Sequence, residues 1–149
     1  MELRYKHVES ALIQVLNVKP KDLGAFRARL RHLRNINLPR LPKSGSGQHI
    51  VYTRHHALEM LVAVALENVG QKPKKAALLA QSIMRQPHDL YRSKDCYVAF
   101  SENMPGYMMT YGLRAFSEFL KSAPDVFLVI NLSACTEKLG LALDRAVAS

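Results

Sequence analysis

The sequence predicts a mainly helical α+β chain, with four helices and a small glycine-tipped hairpin followed by a β-α-β-α unit. Three observations carry this. Apolar residues recur at helical spacing between residues 8 and 84. A Lys-Ser-Gly-Ser-Gly tip at 43–47 lies between a proline-bearing segment and a β-branched run, the pattern of a short hairpin. Beyond a polar stretch containing Pro87, short β-rich runs alternate with amphipathic ones.

The elements follow in order. Val8, Leu12, Val15 and Leu16 fall on one face of a first helix, and residues 17–22 (NVKPKD) read as a turn. Asp22 is placed to cap a second helix over 23–35, because its carboxylate can accept from exposed backbone N–H groups. Leu23, Phe26, Leu30 and Leu33 form that helix's apolar stripe, and Arg27, Arg31 and Arg34 form a second stripe beside it. Arg29 and His32 point elsewhere. Pro39 ends the segment. Thr53 should cap a third helix over 54–69, apolar around most of its circumference, with Gly70 at the left-handed position after it. Pro73 suits the first turn of a fourth helix reaching 83 or 84.

The boundary is set at 86, with residues 1–86 as one domain and 87–149 as another. In the second, 96–100 reads as a strand, 103–106 as a loop and 113–120 as a short helix with Leu113, Phe116 and Leu120 on one face. Residues 125–131 (DVFLVIN) form the strongest strand, and Ser133 caps a last helix with Leu139, Leu143 and Ala146 inward.

Charge is segregated. The net charge is +9, and residues 1–84 hold 14 Lys+Arg against 5 Asp+Glu while residues 85–149 are balanced, so the excess lies on the first half. Such segregation attracts a polyanion. No run reaches the length of a membrane span, the N-terminus lacks a signal-peptide core, and Cys96 and Cys135 have no framework or metal-ligand spacing. A cytoplasmic chain with two buried thiols is the expectation. Dispersed histidines, the adjacent His55 and His56 included, support no metal site. Phosphate loops, paired carboxylates and nucleophile motifs are missing, so neither an enzyme nor a cofactor is expected.

Helix, turn, arginine-rich helix, glycine-tipped hairpin and helix is the order of a winged helix-turn-helix. An α-helix fits the major groove, and arginine's planar fork meets both guanine edges and phosphates. The expected DNA contacts are Lys21, Arg27, Arg31, Arg34 and Arg40, with Lys43, Ser44, Ser46, Gln48 and His49 at the hairpin. Lys72, Lys74 and Lys75 oppose the dipole of the fourth helix, which also favours a phosphate nearby.

The run Leu33-Arg34-Asn35-Ile36-Asn37-Leu38-Pro39, followed by Ser46-Gly47-Gln48-His49-Ile50-Val51-Tyr52-Thr53, resembles the MerR family of bacterial regulators. The likeness continues through Leu61 and Leu66-Glu67-Asn68-Val69-Gly70 and spans residues 8–84. It implies a winged-helix, double-stranded DNA binder acting as a homodimer on a partly palindromic operator. Three departures qualify it. Arg31-His32-Leu33-Arg34 replaces the family's aromatic "R-Y-Y-E" segment, so its phosphate contacts do not carry over. His49 stands where arginine is usual, and the family's long dimerisation helix is replaced by α/β sequence.

In the second half, Tyr107, Met108, Met109 and Tyr111 with Val126 and Leu128 are candidates for a dimer face or an effector pocket, and ordinary core is the alternative. Dimerisation here is favoured, because the apolar strand needs cover. No residue pattern assigns an effector. The expected function is a transcriptional regulator, with repression the favoured mode. The alternatives are an architectural DNA binder with low sequence preference and an RNA-binding or protein-interaction adaptor.

Overall fold

A computed structural model describes residues 3–41, 50–86, 95–101, 106–122 and 128–149. The order is α1 (Tyr5–Val15), a 3₁₀ turn (Pro20–Asp22), α2 (Leu23–Asn35), α3 (Arg54–Asn68), α4 (Pro73–Met84), β1 (Cys96–Phe100), β2 (Met108–Tyr111), α5 (Leu113–Ser122), β3 (Leu128–Asn131) and α6 (Leu132–Ala148). The chain is α+β and mainly helical, with one small antiparallel sheet. It forms two units, Met1–Met84 with Lys138–Ser149, and Arg85–Glu137. A single boundary at 86 therefore misses one feature: α6 begins in the second unit and ends in the first.

In the first unit α3 is the central helix, with Ala57 to Val64 and Leu66 all buried. Val8, Ala11 and Leu12 of α1 and Phe26, Leu30 and Leu33 of α2 complete the expected apolar stripes, while Leu23 is only half-buried. Leu139, Ala142 and Leu143 of α6 are buried as well. Arg54 crosses α6 at Gly140, where a Cβ would stand 3.3 Å from its guanidinium, and pairs with Asp144.

Three successive helices end alike. After α1, α2 and α3 a residue turns left-handed: Asn17 (φ 50°), Asn37 (φ 66°) and Gly70 (φ 91°). The next amide in each case reaches back to the carbonyl of the third-last helical residue: Val18 to Ile13, Leu38 to Leu33 and Gln71 to Leu66. This is the Schellman arrangement, which satisfies carbonyls the helix leaves open. Asparagine substitutes for glycine at two of these sites because it tolerates the left-handed region.

The caps were partly legible. Thr53 Oγ1 accepts from the His56 backbone N–H at 3.1 Å, and His56 Nδ1 accepts from the Thr53 N–H at 3.2 Å, a reciprocal box. Thr53→Ala should cost about 1 kcal/mol in urea denaturation. Asp22 makes no side-chain cap, because the 3₁₀ turn runs directly into α2. Ser133 is not the cap of α6 either. Asn131 Oδ1 accepts from the Ala134 N–H at 2.9 Å, and Ser133 Oγ accepts from the Cys96 N–H at 2.9 Å, tying α6 to β1.

The sheet has the order β2-β1-β3, with Val98 opposite both Met109 and Ile130. The described part of the second unit is thus β-β-α-β-α, and the expected β-α-β-α pattern lacked β2. Tyr97 on β1 stacks on Phe116 of α5, centroids 4.4 Å apart. Phe119, not Leu113 or Leu120, is the buried residue of α5.

Candidate nucleic-acid interface

The geometry of α2 follows from its buried stripe. At about 100° per residue, the direction opposite Phe26, Leu30 and Leu33 is occupied by Gly24, Ala28, Arg31 and Asn35. Arg27 and Arg34 lie on the flank toward α1 and Arg29 on the other flank. The three stripe arginines therefore have different fates.

Arg27 Nε donates to Glu9 Oε1 of α1 at 2.7 Å. Arg34 lies over the Tyr5 ring, its guanidinium carbon 4.4 Å from the centroid, a cation–π contact. Tyr5 in turn lies 5.9 Å from Tyr52, and His56 meets Tyr52 edge-on. Among the described residues the hydroxyls of Tyr5 and Tyr52 are buried with no partner in good hydrogen-bonding geometry, and burial raises both phenols' pKa values while the adjacent Arg34 pulls the other way. Arg31 is exposed and makes no ion pair, hydrogen bond or ring contact among the described residues.

Arg29, which by its spacing points away from the arginine stripe, is a fork between helices. Its Nε donates to Glu67 Oε2 at 2.9 Å, one terminal nitrogen to Asn68 Oδ1 at 2.9 Å and the other to the Val64 carbonyl at 3.3 Å. Lys21 and Arg40 are exposed. Arg40 also acts on Glu59, a buried acid of α3: burial pushes that carboxyl up to about 7, against the pull of the Arg40 charge. Lys43, Ser44, Ser46, Gln48 and His49, and with them the hairpin tip, lie outside the described residues. The last part of the expected hairpin, at Tyr52, forms a single antiparallel bridge with Leu3.

Of the expected contacts on α2, the fold leaves Arg31 free and engages Arg27 and Arg34 with α1. Asn35, one turn beyond Arg31 on the same outward face, was missed. The four-residue spacing was visible, but Asn35 was read only as the end of the helix. An exposed arginine and asparagine at that spacing present a bidentate fork and an amide, the groups suited to guanine and adenine edges.

The second cluster divides across the sheet. Met108 and Tyr111 are exposed on β2, with Tyr107 and Met109 half-buried; Leu128 lies on β3, at the opposite edge of the sheet with β1 between; Val126 lies outside the described residues. Strand pairing places Leu128 two strands from Met109 and Tyr111, opposite Phe100, while those two lie opposite Val98 and Cys96. Cys96 is buried, which pushes its thiol up to about 11, whereas Cys135 is half-buried rather than buried.

Among the described residues no group of three or more His, Cys, Asp or Glu is arranged to hold a metal ion, and no helix is long and apolar enough to cross a membrane. No protein-family model matches the chain, and no curated protein matches it significantly. The MerR resemblance rests on the residues that carry it.

Proposed function

We propose that the chain is a sequence-specific double-stranded DNA-binding regulator, with α2 entering the major groove and the 43–49 tip meeting the flanking backbone as the wing of a winged helix-turn-helix. The observation that carries the reading is Arg31. It stands exposed and, among the described residues, unpartnered on the outward face of a helix whose opposite face is locked to the core, in the unit that holds the positive excess. The MerR resemblance supports the same reading. The second unit would join two copies, repression being the favoured mode, and half-sites are then expected about 34–36 Å apart or at a multiple of that.

Selection from a random duplex pool at near-physiological salt tests this. An enriched inverted repeat is the expected result. Arg31→Ala should weaken binding to the selected site by about 1–3 kcal/mol and relax preference at one base position, read by titration of the selected and a scrambled duplex. Retention without enrichment would replace the reading by an architectural one, which the intramolecular engagement of Arg27 and Arg34 favours. No retention would point to an RNA or protein partner.

A further inference from the structure

Between the α1–α2 turn and α3 lies an open depression of about 420 Å³, within the range of small-molecule sites. We propose that it binds a small organic monoanion with an apolar body, an aromatic or branched carboxylate. Its lining combines partly exposed apolar residues, Leu16, Val18 and Ala25, with the cations Lys19, Lys21 and Arg29.

The charge balance selects the class of ligand. Glu67 neutralises Arg29, and Asp22 on the rim offsets one lysine, leaving one net positive charge facing the space. That matches a monoanion better than a dianion. Arg29 supplies the fixed point. Three acceptors on α3 hold its guanidinium, which has five N–H groups, so two remain unclaimed among the described residues. A donor already held by its own fold loses little further freedom when a ligand arrives. Leu16, Val18 and Ala25 can then cover the ligand's apolar body, which inorganic phosphate lacks. The wall includes the first turns of α2, but the proposal stands whether or not α2 meets DNA.

The test is titration of the ¹⁵N-labelled full chain with benzoate, using benzyl alcohol and inorganic phosphate as comparison probes. Saturable shifts at the amides of Asn17, Val18, Ala25 and Asn68 are expected with benzoate, and binding of either comparison probe should be roughly tenfold weaker or more. Ala25→Trp, on an exposed position lining the depression, should abolish the response, and Lys21→Glu should weaken it roughly fivefold or more. No saturable shift in the folded chain below about 10 mM benzoate would overturn the proposal. So would equal affinity for benzyl alcohol or phosphate, or affinity unchanged by either substitution. The dispersion of each variant's spectrum separates loss of the site from loss of the fold.

Discussion

Replacing Arg29 by alanine is expected to destabilise the chain by about 1–3 kcal/mol, more than any other single substitution on α2 outside its apolar stripe. The cause is the group left behind. The Glu67 side chain is only 8% exposed, and its Oε1 already lacks a hydrogen-bond partner. Without Arg29 the carboxylate would stay desolvated and unpaired, the costly way to break a buried pair. Arg29→Lys keeps the charge but cannot reach Glu67, Asn68 and the Val64 carbonyl together, so an intermediate loss is expected. Removing Glu67 as well should restore part of the stability, with a coupling of about 1 kcal/mol or more in a double-mutant cycle measured by urea denaturation. A single-variant loss below about 0.5 kcal/mol would show the fork to be a surface contact.

Glu59→Gln should make the chain more stable above neutral pH, by up to about 3 kcal/mol. The folded carboxyl titrates near 7 against an ordinary value of 4.5, and burial is the dominant cause. The folded state therefore holds its proton more tightly than the unfolded state. Below about pH 4.5 the group is neutral in both states and has no effect on the balance. As pH rises from 4.5 to 7 the unfolded chain ionises first, and stability is lost across that window, reaching a plateau above it. Glutamine removes the titration while keeping a similar shape. Urea midpoints of the two proteins should coincide near pH 4 and diverge to about pH 8; parallel curves would sink the assignment. Arg40→Ala should steepen the wild-type loss, because the Arg40 charge currently favours the ionised form.

What was legible in the sequence was what local physics controls. The stripes Val8/Leu12 and Phe26/Leu30/Leu33, the Thr53 cap and the glycine after α3 all reflect periodicity or backbone sterics acting within a few residues. What was not legible depended on partners far along the chain. Glu59 is an acid in a helix that periodicity shows only as largely apolar, and residues 57–64 of α3 are all buried and carry the acid inside with them. Arg27, Arg31 and Arg34 form one stripe by spacing, but Glu9 and Tyr5 on α1 claim the outer two. Met108 to Tyr111 contains two methionines and no apolar-polar alternation, so its strand character comes from pairing with Cys96–Ala99 rather than from its own composition. Leu113 and Leu120 share a face with Phe116 by periodicity, but α5 turns Phe119 inward instead.

The division of α6 between units has a consequence for biosynthesis. Leu139, Ala142 and Leu143 belong with a unit whose remaining helices, α1 to α4, all precede Arg85. As the chain leaves the ribosome, α1 to α4 emerge with the surface those side chains will cover still open, and it stays open until the whole of Arg85–Glu137 has followed. The second unit is contiguous, so it can condense before the first unit receives its closing helix. Once condensed it shortens the effective loop between Met84 and Lys138, lowering the entropy lost when the final helix docks. A fragment ended near residue 86 would resemble the nascent chain halted at that stage: four helices in place, their closing element missing.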